Sequence, residues 1–160
     1  MADTPHLLIV EAPYYTEISE ALGAGAEDFL RAEGVSFERI SVPGALEIPA
    51  AIKFAAQSGK FDGYVALGCV IRGETTHYDY VCAESAHGLQ VLAMTQGLCI
   101  GNGILTVENR PQAEVRADPA DQNKGGGAAA AALHLIALTR KWGAQTKGVG
   151  FKAPSDAIQL

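Results

Sequence analysis

No apolar run in this chain is long enough to cross a bilayer, so a helical membrane span is excluded. Basic residues are few and scattered, 12 against 18 acidic ones. With a net charge of −6 at pH 7 the chain offers no surface to a polyanion, and nucleic acid is excluded as a partner. Cysteine is scarce as well: Cys69, Cys82 and Cys99 are odd in number and form no CxxC pair or His-rich cluster, so they read as reduced core residues rather than metal ligands. The opening MADTPHLLIV has no basic stretch and only a four-residue apolar run. No export signal is expected there, and the protein is expected to be cytoplasmic.

What the chain does have is hydrophobic content, 48% over 160 residues, enough for one compact domain with a core. Two hydrophobic periods alternate along it. Residues 7–10 (LLIV), 37–42 (FERISV), 64–71 (YVALGCVI) and 100–107 (IGNGILTV) read as strands, and the unbroken apolar character of the first and third indicates burial on both faces. Between them Ile18, Leu22, Ala26, Phe29 and Leu30 mark one helix face, Ile48, Ala51, Ile52 and Ala55 a second, and Val81, Ser85, Leu89 and Leu92 a third. A last helix is expected over 126–141, where AAAAALHLIALTRK has high helix propensity and basic residues near its end. Strands alternating with helices predict a parallel sheet covered on both sides. The domain is expected to span 1–143, with 144–160 as a tail. Four strands make a small sheet, and the alanine-rich final helix is expected to pack against another surface, which favours self-association.

In open α/β sheets ligands bind at the carboxyl ends of the strands. Tyr14 and Tyr15 follow the first strand, as edge packing or as a binding platform, with Thr16 as the expected helix cap. Glu47 follows the second, as a carboxylate complementing a helix dipole or as a ligand contact, with Pro49 suited to an early helical turn. After the third strand comes GETTHYDY at 73–80. One reading is a threonine-capped helix. The other is an anion pocket, in which Gly73 adopts backbone angles that bring its amide close, Thr75 and Thr76 supply hydroxyls at a helix start, and His77 moves a proton near neutral pH. His6, His87 and His134 have no comparable setting.

GALEIP at 44–49, GCVIRGETTHYDYV at 68–81, LTVENRPQAEVRA at 105–117 and NKGGGAA at 123–129, in this order and spacing, resemble the lumazine synthase family over about residues 6–142. The resemblance implies an α/β, flavodoxin-like three-layer sandwich with a four-stranded parallel sheet. It also implies an activity: condensation of 5-amino-6-(D-ribitylamino)uracil with 3,4-dihydroxy-2-butanone 4-phosphate to give 6,7-dimethyl-8-ribityllumazine, phosphate and water, the penultimate step of riboflavin biosynthesis. No cofactor or metal is expected, since the steps need only proton transfer and orientation.

By the same resemblance Tyr14 stacks on the pyrimidine, and Ala45, Leu46 and Glu47 occupy the ribityl-binding segment, the Glu47 carboxylate accepting from sugar hydroxyls. Val70 and Ile71 match backbone contacts to the pyrimidine edge. Gly73, Glu74 and Thr75 match the phosphate loop, His77 the acid/base, Arg116 the arginine that clamps the phosphate and Lys124 a basic residue near the same phosphate site. The last two are implied to come from a neighbouring subunit. The partners implied are small-molecule substrates, further copies in a pentamer, a shell of twelve pentamers, and riboflavin synthase. Tyr15 stands where the family has an asparagine, and Asn102 where many relatives place an aromatic over the ring. Leu46 replaces the phenylalanine of GAFEIP and reads as core variation. Pro119 and two aspartates in ADPADQN (117–123) depart from the glycine- and lysine-rich loop of shell-forming relatives. A second reading, a lumazine- or flavin-binding or scaffold relative without turnover, rests on Tyr15 and Asn102. The set Glu47, Thr75, His77, Arg116 and Lys124 argues against it.

Overall fold

A computed structural model describes residues 3–143. Four strands, β1 (His6–Glu11), β2 (Ser36–Ser41), β3 (Gly63–Ile71) and β4 (Ile100–Val107), pair in parallel in the order β2-β1-β3-β4. Pleating sends Leu7 and Ile9 of β1 to one face and Leu8 and Val10 to the other, and Val65 and Leu67 of β3 part from Tyr64 and Ala66 in the same way. Both faces of these central strands are therefore core, as their unbroken apolar runs predict.

Helices α1 (Thr16–Ala32), α4 (Arg110–Ala117) and α5 (Lys124–Gly143) cover the first face, and α2 (Ile48–Gln57) and α3 (His77–Gln96) the second. This is the three-layer, flavodoxin-like α/β arrangement expected. The edge strand β2 is mostly exposed and is held by charge: Arg39 donates to the buried Glu11 at 2.6 Å and to Glu27 of α1 at 2.9 Å, while Ser41 donates to Glu11 at 3.1 Å. Arg39 lies against Gly23, where any Cβ would collide with the guanidinium.

Several sequence expectations need correction. β2 begins and ends one residue earlier than read. Thr16 is not the cap of α1, whose N-cap is Tyr15 without a side-chain bond. The separate helix α4 was not anticipated; Asn109 caps it by accepting from the Gln112 amide at 3.0 Å, and Pro111 suits its first turn. α5 starts at Lys124, two residues before the expected 126, with Gly125 packed directly on the backbone of α1. A Cβ at Gly125 would collide with the Leu22 carbonyl, and one at Gly101 with the Ala128 carbonyl. The small face of α5, with Ala128, Ala129 and Ala132 buried, is thus spent on α1 and β4 of its own chain. The expected tail at 144–160 lies outside the described residues.

Candidate active site

β1 and β3 are neighbours whose connections leave in opposite directions, which opens a crevice at their carboxyl ends. The cleft there has a volume of about 460 Å³. Its walls bring together seven residues picked from the sequence: Tyr14, Ala45, Leu46, Glu47, Val70, Ile71 and His77.

The two tyrosines after β1 divide the two roles considered for them. Tyr15 is half-buried against the core, while Tyr14 is 76% exposed with its ring edge-on to Tyr15 at 4.9 Å between centroids. Tyr14 is therefore a free aromatic face on a fixed support. After β2 the chain makes a single 3-10 turn at Ala45–Glu47 before α2. Glu47 is the N-cap residue of α2 but makes no side-chain cap bond, and its exposed carboxylate has no hydrogen-bond or ion-pair partner among the described residues. Gly44 leaves it room, since a Cβ there would stand 3.0 Å from Glu47 Oε2. Leu46 is not core variation, for it is 44% exposed on the cleft wall.

β1 stops pairing at Glu11 opposite Leu67, whereas β3 runs on to Ile71 beside β4. Tyr64 N donates to Cys99 O just before β4 and Arg72 N to Val107 O at its end, and Leu67 O accepts from Ala12 N on the β1 side. By that alternation the backbone groups of Cys69 and Ile71 face the cleft without a strand to pair with, while those of Val70 belong to the β4 ladder. Val70 thus contributes its side chain, and the free backbone edge passes to Cys69 and Ile71.

The loop from β3 to α3 overturns the simple cap. Thr76 is the N-cap residue of α3 yet makes no side-chain bond, and Thr75 Oγ1 accepts from the His77 amide only at 3.4 Å. In the first turn of this 20-residue helix the Asp79 amide donates back to the Thr76 carbonyl at 3.0 Å, while the amides before it have almost no side-chain satisfaction, the condition under which helix starts hold anions. Gly73 differs from expectation: its φ is not in the left-handed region, and no atom stands within 4 Å of where its Cβ would be. Its contribution is open space rather than an unusual backbone angle. Glu74 and Thr75 are exposed beside it, and His77, the first residue of α3, presents its ring to the cleft.

Six predicted residues are not part of the cleft wall: Gly73, Glu74 and Thr75 stand in the loop just before His77, and Asn102, Arg116 and Lys124 lie elsewhere in the fold. Asn102 is exposed on the edge strand β4, where it pairs with Ala66 of β3 and its side chain accepts from the Ile104 amide at 3.0 Å. Arg116, half-buried on α4, donates to the Gln112 carbonyl at 2.9 Å, and Lys124 is exposed at the start of α5. Sequence reasoning also passed over Cys69, which forms part of the wall. Burial pushes its thiol up to about 11, so it is neutral and unreactive at ordinary pH. No group of three or more metal-ligating side chains occurs among the described residues.

A doubly covered parallel α/β domain, with an aromatic face, a free carboxylate, a bare backbone edge and an imidazole beside a helix start gathered at one cleft, has the build of a small-molecule enzyme. The family model described as 6,7-dimethyl-8-ribityllumazine synthase matches residues 4–140. Relatives bearing that name include one from Jannaschia sp. (strain CCS1), 58% identical over 152 residues (95% of this chain, 84% of the relative). Those from Bartonella bacilliformis and Sphingopyxis alaskensis are 57% and 56% identical, over 87% and 86% of this chain and 93% and 97% of their own lengths. The chain belongs to the 6,7-dimethyl-8-ribityllumazine synthase family.

Proposed function

We propose that this chain makes 6,7-dimethyl-8-ribityllumazine in riboflavin biosynthesis by condensing 5-amino-6-(D-ribitylamino)uracil with 3,4-dihydroxy-2-butanone 4-phosphate. The observation that carries the reading is the convergence of Tyr14, Glu47, Ile71 and His77 on one cleft in a chain of this family. Tyr14 stacks on the pyrimidine, whose polar edge bonds to the free backbone of Cys69 and Ile71. Glu47 accepts from the ribityl hydroxyls. The amides of Gly73, Glu74 and Thr75 and the Thr75 hydroxyl hold the ketone's phosphate, and the Glu74 carboxylate turns away from it. The aromatic amine then adds to the ketone and water leaves, phosphate departs by elimination, and the second amine closes the ring with loss of water. His77 moves protons at the reacting carbons, and binding makes the steps effectively unimolecular.

Arg116 and Lys124 complete the phosphate site from a neighbouring subunit in a ring of five, and Asn102 meets the far face of the pyrimidine in the same way. A planar fork suits Arg116 to the phosphate. Their position outside the cleft of their own chain supports this arrangement. Twelve rings join into a shell, the product passes to riboflavin synthase, and the work is done in the cytoplasm by a domain spanning 1–143. No helix among the described residues is long and apolar enough to cross a membrane, in keeping with that location.

The test is an absorbance assay for lumazine formation from the two substrates. Wild type turns over, and His77→Ala slows by about 10² to 10⁴ while staying above the uncatalysed rate, because orientation survives the substitution. No turnover by the wild type, with tight lumazine or flavin binding, would instead favour a binding protein.

A further inference from the structure

The loop Gly73–Thr76 has almost nothing of its own to hold it. Gly73 stands in open space, both threonines are exposed, and the only side-chain bond within the loop is the long one from the His77 amide. Its geometry therefore depends on what fixes its ends. At one end is Arg72, whose amide donates to Val107 O at 3.0 Å and carries the β4 ladder one residue past β3. The Arg72 side chain then binds three ways. Nε donates to Glu108 Oε2 at 2.6 Å, Nη1 donates to Asp79 Oδ1 at 3.3 Å, and the guanidinium carbon sits 4.2 Å from the centroid of the Tyr78 ring.

We propose that Arg72 is a positioning residue for the phosphate loop: its guanidinium joins the end of β3, the turn after β4 and the first turn of α3, and so sets the spacing at which Gly73–Thr75 and the start of α3 meet an anion. This rests on the functional reading above, and it adds a residue that does not itself grip the phosphate. Two carboxylates share one guanidinium, so little positive charge is left to offer a ligand. The arrangement also needs a planar fork, because a single ammonium cannot stack on Tyr78 while reaching Glu108 and Asp79 on different elements.

A positioning Arg72 and a phosphate-binding Arg72 give opposite signs in one variant. Glu108→Gln removes the strongest tether. Under positioning, KM for the phosphorylated ketone rises about two- to threefold, the range of a surface ion pair. Under direct binding the freed guanidinium would grip phosphate better, and KM would fall. Arg72→Ala is expected to raise the ketone KM by roughly three- to tenfold, from loss of two ion pairs and a cation–π contact, with the pyrimidine KM unchanged. Arg72→Lys should recover only a small part. Hydrogen exchange followed by mass spectrometry supplies a readout independent of turnover: amides of 73–78 exchange faster in Arg72→Ala and Glu108→Gln while those of β1 do not. Lack of wild-type turnover would remove the functional reading and leave the exchange result to judge the clamp. Unchanged exchange in both variants, or a ketone KM lowered by Glu108→Gln, would overturn the proposal.

Discussion

Cys69 belongs to the core through its side chain and to the rim of the cleft through its backbone, and that double membership has a cost in alkali. Burial raises its thiol from 9.0 to about 11. Below pH 9 the thiol is neutral in the folded and unfolded chains alike, and it has no effect on pH dependence. Between 9 and 11 the unfolded chain gives up the proton first, so folding stability falls across that window and levels off above it. Denaturant titrations at pH 8.5 and 10.8 should show wild type losing about 2 kcal/mol more than Cys69→Ser. Equal losses would mean that the thiol reaches solvent. The residue also shows what a sequence conceals. Tyr14, Glu47 and His77 are legible because each puts a polar or aromatic group just past an apolar run, where core packing has no use for it. A cysteine between Gly68 and Val70 reads as more of the same strand. Only the early end of β1 reveals that its backbone lies bare.

Among the elements, β1, β3 and α3 follow closely from hydrophobic period, since each buries what its pattern says it buries. α4 escapes that reading because eight residues with few apolar side chains carry almost no period; its signals were the Asn109 cap and Pro111, not hydrophobicity. α5 begins earlier than propensity suggests because tertiary contact overrides it. Its three glycines offer an internal comparison. Gly125 meets the Leu22 carbonyl, Gly126 meets the Asn123 side chain, and Gly127 meets nothing within 4 Å. Gly127→Ala should therefore stabilise the fold by about 0.5–1 kcal/mol through helix propensity. Gly125→Ala should destabilise it by about 1–3 kcal/mol or more, since α1 and α5 must separate. Thermal melts of the two variants shifting in the same direction would contradict this packing.

For the whole molecule, the open question is how many chains make one site. If His77 and Arg116 serve a common phosphate from two subunits of a head-to-tail ring, His77→Ala and Arg116→Ala chains refolded together should show activity above that of either variant alone. Random mixing in equal amounts gives both intact residues to about a quarter of the sites. Mixed rings confirmed by mass but with no recovered turnover would show that each chain works alone. The sheet also distributes tolerance for change unevenly. Around β4 and α5 backbone meets backbone, and at Gly101 and Gly125 even a methyl group has no place to go. The edge strand β2 contributes little core, being held by its backbone ladder to β1 and by Arg39 on Glu11, and it delivers the Pro43–Glu47 segment to the cleft wall. Mutations can accumulate there at small thermodynamic cost. If the cleft binds as proposed, evolutionary drift in the polyol chain it accepts would therefore enter from the β2 side, while the anion end, joined to β3 and β4, stays constant.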